Sequence, residues 1–166
     1  MPTKRLTTAA LLMGLALVLF VIELQIPSPI PIPGVKLGLA NIITVYALFV
    51  LTPLDAFLIL CGRILLGAMF SGQMMALMYS FAGGLLCFLA MLLLRHILTE
   101  NQIWACSAIG AVFHNIGQIL IAILVTKSTA VIWYLPILLI SGVLTGLFTG
   151  LCAQYVIHHM AALRHH

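Results

Sequence analysis

Residues 74–94, MMALMYSFAGGLLCFLAMLLL, contain no charged side chain, and they decide the fold class. A membrane-spanning α-helix needs about 20 apolar residues, which this stretch supplies in one unbroken run. A strand of a membrane β-barrel would instead alternate apolar and polar residues over about 10 positions. The stretch therefore predicts a transmembrane helix.

The composition of the whole chain agrees with this prediction. Of the 166 residues, 64% are hydrophobic and 6% are charged. A soluble domain carries about 25% charged residues, so this chain cannot cover a water-facing surface. The mean hydropathy is +1.27, which indicates an all-α integral membrane protein. The net charge of +4 reflects few acids rather than many bases, and nucleic-acid binding is not expected.

Apolar runs recur along residues 1–166 and predict a single domain of six transmembrane helices with short loops. The predicted helices cover about Leu6–Leu24, Leu37–Leu51, Pro53–Phe70, Met74–Leu94, Ile103–Val125 and Val131–Ile157. Thr52 has the residue type of an N-cap and Asp55 that of the third helical position, so a structural role is predicted for Asp55. Because basic residues favour the cytoplasmic side, the chain is predicted to have both termini in the cytoplasm. That orientation places Lys4, Arg5, Arg95 and Arg164 inside and Lys36 and Lys127 outside.

The loop after the first helix is rich in proline, with residues 26–34 reading IPSPIPIPG. Alternating prolines exclude a helix and favour an extended segment. Two interpretations stay open, a lid at the membrane surface or a rigid connector.

Polar side chains within the predicted helices concentrate in their outward halves when positions are counted at about 1.5 Å per residue. They are Glu23, Asn41, Arg63, Gln73, His114, Asn115 and Gln118. Polar groups at membrane depth are usually paired or functional. The pattern predicts a polar cavity that opens outward and is closed towards the cytoplasm.

The roles of these polar residues have two interpretations each. Arg63 is permanently charged, and it either anchors an anionic or carbonyl-bearing ligand or pairs with Glu23. The polar residues at 114, 115 and 118 form either a wall for a ligand or hydrogen bonds between helices. A single histidine without thiol or carboxylate neighbours is a poor metal ligand, so no metal is expected.

Small residues mark two helix faces that permit close approach of another helix. Ala10 and Gly14 lie on the first helix, where the partner is either another helix of this chain or another subunit. Gly142, Gly146 and Gly150 lie on the sixth helix, where internal packing is predicted.

Motifs for energy conversion and catalysis are absent from the sequence. It contains no G-x-x-x-x-G-K-[ST], no Asp-Asp-x-x-Asp and no Gly-x-Ser-x-Gly motif. No catalytic residue, enzyme activity or cofactor is therefore predicted. If the chain takes part in driven transport, the energy must come from a partner or a gradient.

Three stretches together resemble the bacterial Gx transporter family, also named heptaprenyl diphosphate synthase component I. They are residues 32–42 (IPGVKLGLANI), 62–67 (GRILLG) and 113–118 (FHNIGQ). The resemblance covers nearly the whole chain and implies a multi-pass protein of the bacterial cytoplasmic membrane. More distantly, the size and the first helix are similar to substrate-binding S components of energy-coupling factor transporters.

The more distant resemblance implies an uptake function. In S components a small-xxx-small face on the first helix docks a transmembrane coupling subunit, and two ATPases complete the assembly. Ala10 and Gly14 match that face, with Gly in place of the second Ala. The substrate of an S component lies in the outward half, and the predicted substrate-binding residues here are Glu23, Asn41, Arg63, His114, Asn115 and Gln118.

The synthase name implies a different function, that of a non-catalytic membrane accessory subunit. Such a subunit would hold a prenyl tail for a soluble prenyl diphosphate synthase, its catalytic partner. A gradient-driven carrier is a third possibility, which the lack of two matched halves disfavours.

Overall fold

A computed structural model describes residues 3–26, 38–72 and 74–163, and the chain is helical throughout these ranges apart from its turns. The six α-helices are α1 (Thr3–Gln25), α2 (Leu39–Val50), α3 (Pro53–Ser71), α4 (Met74–Leu94), α5 (Ile103–Thr126) and α6 (Leu135–Leu163). Short 3-10 helices over Glu100–Gln102 and Thr129–Tyr134 precede α5 and α6. Residues 27–34 of the proline-rich stretch, Lys36, Gln73 and Arg164 lie outside the described residues.

Five helical segments are long and apolar enough to cross a membrane. They are Thr3–Gln25, Pro53–Ser71, Met74–Leu94, Ile103–Thr126 and Thr129–Ala162. The remaining helix, α2, has 12 residues. It is about 18 Å long at 1.5 Å per residue, against a hydrocarbon core of about 30 Å. The all-α, multi-pass class is confirmed, whereas six complete spans and the orientation of the termini stay predictions.

The outer surface of the bundle is apolar. Leu11 is 70% exposed, Met69 74% and Leu124 70%. In water such a surface would favour association or aggregation. In hydrocarbon it is the surface that a membrane protein needs.

The start of α3 follows the predicted capping pattern and is also fastened to α1. Thr52 is the N-cap, its Oγ1 accepts from the Asp55 backbone N–H at 3.4 Å, and Pro53 occupies the first turn. The Thr52 hydroxyl donates to Asp55 Oδ2 at 2.9 Å. Arg5 Nε donates to the same carboxylate oxygen at 2.5 Å, forming an ion pair. The structural role predicted for Asp55 is therefore confirmed.

The short helix α2 lies in the interior and is held at both ends by side chains of other segments. At its start, Glu23 Oε1 accepts from Gly38 N at 2.5 Å and Oε2 accepts from Leu39 N at 3.1 Å. Near its end, Arg95 Nη1 donates to the Leu48 carbonyl at 3.0 Å. An anion at the N-terminus and a cation at the C-terminus both suit the helix dipole.

Helix α6 begins later than the predicted Val131 and extends beyond the predicted Ile157. Proline at position 136 explains the start, because a residue without an N–H is tolerated only in the first turn of a helix. The preceding Thr129–Tyr134 segment is a 3-10 helix instead.

Glycines bring α4, α5 and α6 into close contact. A Cβ added at Gly146 would lie 2.8 Å from Ala108 Cα, and one at Gly150 would lie 2.6 Å from Trp104 Cα. On the other side of α5, a Cβ added at Gly117 would lie 2.8 Å from the Ala82 carbonyl oxygen of α4. The glycine face of α6 therefore packs internally, as predicted, and α5 is wedged between its two neighbours.

Candidate functional site: a polar cavity inside the bundle

A cavity of about 30 Å³ lies in the interior, between α2 and the α4–α6 group. A water molecule needs about 10–15 Å³, so a cavity of this size holds about two. Its polar lining side chains come from three helices, and they are Asn41, Thr44, Ser107, His114, Thr145 and Thr149. Leu60, Cys87 and Met91 supply apolar walls. Small-molecule sites also combine apolar walls with a few polar groups, although their volumes are about 300–1,000 Å³.

The wall formed by α2 contains an unsatisfied hydroxyl. Asn41 and Thr44 are three residues apart, so they lie on the same helix face. Thr44 is 3% exposed, and its Oγ1 has no hydrogen-bond partner. A threonine inside a helix can donate to the carbonyl three or four residues earlier, which Thr44 does not do. An unpaired buried hydroxyl costs about 1–3 kcal/mol, so the Thr44 hydroxyl needs a partner from within the cavity, either a water molecule or a ligand.

The hydroxyls of the opposite wall are paired within the protein. Ser107 Oγ on α5 and Thr149 Oγ1 on α6 lie 3.1 Å apart. Thr149 Oγ1 also contacts the Gly146 carbonyl at 3.2 Å, and Thr145 Oγ1 donates to the Gly142 carbonyl at 3.2 Å. The hydroxyl groups on this side of the cavity therefore have hydrogen-bond partners without a ligand.

His114 lines the cavity from α5 beside a glycine of α4. A Cβ added at Gly83 would lie 3.0 Å from the His114 Nδ1 atom and 2.8 Å from its carbonyl oxygen. The absence of a side chain at Gly83 thus makes room for the imidazole ring.

Arg63 joins the cavity through Asn41. Its Nη2 donates to Asn41 Oδ1 at 3.0 Å, while its Nε is buried without a partner. Within the described part of the chain, Arg63 forms no ion pair with Glu23. Both carboxylate oxygens of Glu23 accept instead from the backbone at the start of α2. The predicted Arg63–Glu23 interaction is therefore present only as an electrostatic attraction without a direct contact.

The predicted site residues do not all lie at the cavity. Asn41 and His114 line the cavity, Arg63 donates to the Asn41 side chain, and Glu23 accepts from the backbone at the start of α2. Asn115 is 7% exposed, and its Nδ2 donates to the Leu138 carbonyl of α6. Gln118 is partly buried and is not one of the described residues that line the cavity.

The hydroxyl residues of the cavity were not among the predicted site residues, and they are Thr44, Ser107, Thr145 and Thr149. Their spacing from the predicted residues could have indicated two of them. Thr44 is three residues after Asn41, and Ser107 is two helical turns before His114. Hydroxyl residues are common in membrane helices, however, and the spacing alone does not distinguish a cavity wall from a helix contact.

The small-residue face of α1 lies on the outside of the molecule. Ala10 and Gly14 are both exposed, and a Cβ added at Gly14 would meet nothing within 4 Å. Within the described residues this face packs on no helix, so its small residues are not explained by internal packing.

These features define the chain as a multi-pass helical membrane protein with a small interior cavity that has apolar walls and a few polar side chains. A family model described as heptaprenyl diphosphate synthase component I matches residues 12–156. The chain therefore belongs to this family, as its resemblance predicted. No curated protein and no solved structure matches the chain. The family name describes a component of a synthase and does not itself assign a catalytic role.

Proposed function

We propose that this chain is the membrane-embedded substrate-binding subunit of an uptake system and that its small-molecule substrate binds in the cavity beside α2. The observation that carries the proposal is the Thr44 hydroxyl, which is buried at the cavity without a partner. A substrate with an acceptor atom at this position would satisfy the hydroxyl and recover the hydrogen bond that folding leaves unmade.

The size of the cavity indicates that substrate binding requires a conformational change. Sites for drug-sized ligands have volumes of about 300–1,000 Å³, far above the 30 Å³ of this cavity. The α4–α6 group is held by glycine contacts with backbone atoms, whereas α2 packs through side chains and is tied at its ends by side-chain hydrogen bonds. Because close-packed backbones resist separation, α2 is the wall that opens in this proposal.

The exposed face of α1 supports an external energy source. The sequence has no nucleotide-binding motif, and Ala10 and Gly14 offer a flat surface on which a partner helix can pack. We propose that the partner is a transmembrane coupling subunit associated with two ATPases, as in energy-coupling factor transporters.

The partner is tested by purification from native membranes in mild detergent, followed by mass spectrometry of the copurifying proteins. Gly14→Leu fills the proposed docking face, and Val21→Leu is the matched control because Val21 is an exposed residue of the same helix. We expect a coupling protein and ATPases with the wild type and with Val21→Leu, and their loss with Gly14→Leu. Recovery of no ATPase with the wild type would contradict the coupling proposal.

The substrate site is tested by extracting small molecules from the purified protein and comparing them by mass spectrometry. Thr44→Val removes the unpaired hydroxyl at nearly constant shape, and Thr126→Val is the control because Thr126 is exposed and bonds only the Ala122 carbonyl. We expect a compound that is enriched with the wild type and with Thr126→Val and depleted with Thr44→Val. If all three proteins retained the compound equally, the cavity would be excluded as its binding site.

A second candidate function is favoured by the family to which the chain belongs. In this alternative the chain is a non-catalytic accessory subunit that holds a prenyl chain for a soluble heptaprenyl diphosphate synthase. The copurification experiment separates the two candidates, because here the partner would be an aspartate-rich prenyltransferase. Deletion would also change the length or yield of membrane isoprenoids, and unchanged quinone side chains would count against it.

A further inference from the structure

Arg63 is a permanent cation in the middle of an apolar helix. The two acidic residues of the outer helices α1 and α3, Glu23 and Asp55, form hydrogen bonds with other groups. Asp55 binds Arg5 and Thr52, and Glu23 binds the first backbone amides of α2. Within the described residues Arg63 has one hydrogen bond, to the neutral side chain of Asn41. Glu23 is close enough to attract Arg63 electrostatically, but its two carboxylate oxygens accept from the backbone, and no carboxylate of the described residues contacts the guanidinium group. A buried charge without a counterion in contact is costly, so the guanidinium group favours an anion.

The hydrogen bond between Arg63 and Asn41 fixes the chemistry that the cavity presents. A guanidinium group has no acceptor, so the amide atom that faces it must be the oxygen Oδ1. The Nδ2 group of Asn41 is then left to donate. Thr44, one turn further along α2, adds a hydroxyl without a partner. None of the described residues lining the cavity is Asp or Glu, so this corner combines donors with a positive charge.

We propose that the corner formed by Arg63, Asn41 and Thr44 binds an oxyanion, a carboxylate or phosphate group, of a soluble substrate or a lipid headgroup. Arg63 supplies the charge and orients the Asn41 amide, while Asn41 Nδ2 and the Thr44 hydroxyl donate to the anion. Charge-assisted hydrogen bonds of this kind are about twice as strong as neutral ones, which favours an anion over a neutral carbonyl. The inference rests on the proposed function and adds the chemical class of the ligand.

The test uses the full chain in nanodiscs of phosphatidylcholine and measures its unfolding temperature with small probes at constant ionic strength. The probes are inorganic phosphate, acetate and acetamide, because acetate and acetamide match in size and differ in charge. We expect phosphate and acetate to raise the Tm of the wild type and acetamide to leave it unchanged. A probe at about 100 times its Kd stabilises the folded state enough to give a shift of several degrees.

Two variants separate ligand binding from a structural role of Arg63. Arg63→Met removes the charge, and we expect it to abolish the shift with phosphate and acetate. Without a probe, it should unfold at the same temperature as the wild type or about 2–4 °C higher, because it removes an unpaired buried charge. Arg95→Met is the matched control, since Arg95 also binds α2 but at its other end, through the Leu48 carbonyl. It should lower the Tm and keep the response to anions.

Each other outcome has a definite meaning. Equal shifts with acetate and acetamide that depend on Thr44 would overturn the anion inference and leave the proposed binding function intact. If the wild type responded to no probe and Arg63→Met had a lower Tm than the wild type without a probe, the inference would be overturned. Arg63 would then have a structural role. An Arg63-dependent shift on adding phosphatidylglycerol to the bilayer, without a free probe, would support the oxyanion site and identify the lipid as its source.

Discussion

Two regions in the interior of this apolar bundle contain polar side chains, namely the contact between α5 and α6 and the wall formed by α2. They differ in how many of these side chains have hydrogen-bond partners. Between α5 and α6, the side chain of Asn115 donates to Leu138, and the hydroxyls of Ser107 and Thr149 pair with each other. On α2, the Thr44 hydroxyl has no partner, and the nearby Arg63 has an unpaired Nε. Both regions contain an asparagine and at least one hydroxyl side chain.

The difference shows how structural and functional polar groups are told apart within a membrane bundle. A polar group that serves packing finds its partner in the folded chain, because hydrocarbon offers none. A group without a protein partner at a cavity is available to a water molecule or a ligand in that cavity. Four experiments test this contrast.

The largest effect is expected from filling the α5–α6 contact. In Gly146→Ala the new methyl group would lie 2.8 Å from Ala108 Cα and 2.9 Å from the Ser107 carbonyl oxygen, so backbone must move. We expect a loss of about 3 kcal/mol in the free energy of unfolding, measured by denaturant titration in micelles. Gly14→Ala, which meets nothing within 4 Å, should instead gain about 0.5–1 kcal/mol. Similar effects of the two substitutions would contradict the packing described for α6.

A smaller loss is expected from removing the hydrogen bond across the same contact. Asn115→Ala deletes the donor to the Leu138 carbonyl, and we expect the same titration to give a loss of about 1–2 kcal/mol. Gln118→Ala is the control on the same helix and should change stability by less than about 0.5 kcal/mol. If the order of the two effects were reversed, Gln118 rather than Asn115 would join the helices.

The α2 wall should respond in the opposite direction. Thr44→Val keeps the shape of the side chain and removes an unpaired hydroxyl, so the ligand-free protein should gain about 1 kcal/mol. The comparison of wild type and variant requires protein that has been freed of bound small molecules by extensive washing. A loss of stability in this variant would mean that the hydroxyl has a partner in the folded chain, and the contrast between the two regions would fail.

The smallest effect concerns the Ser107–Thr149 pair. A double-mutant cycle with Ser107→Ala and Thr149→Val should give a coupling free energy of about 0.6 kcal/mol, the average for hydrogen bonds between membrane helices. The same cycle with Thr44→Val and Thr149→Val is the control and should give a coupling near zero. A coupling of zero for Ser107 and Thr149 would show that their hydroxyls do not bond.

Much of the fold was predictable because its signals are local. Uninterrupted apolar runs located α4 and α5 to within a residue or so, and the Thr52 cap located the start of α3. The start of α6 was predicted too early because the apolar residues before Pro136 suit a helix equally well. Hydropathy identifies segments that enter a membrane, but it does not distinguish a 3-10 helix from an α-helix.

The site was less predictable because the few polar residues of each helix do not form a continuous polar face. His114 and Asn115 are adjacent in the sequence, yet one lines the cavity and the other joins α5 to α6. In a soluble protein the polar face of a helix reveals its orientation, whereas a bundle in lipid gives no such periodicity. The partner of Glu23 was likewise not predictable, because it is the backbone of α2 and not a side chain.

The ion pair between Arg5 and Asp55 has a consequence for the synthesis of the protein. The two residues are 50 positions apart, and α2 lies between them in the sequence. At about 5–20 residues per second, a ribosome needs about 3–10 s to extend the chain from one to the other. The first helix therefore leaves the ribosome with its cation unmatched, and its arrangement against α3 is fixed only after the third helix has been made.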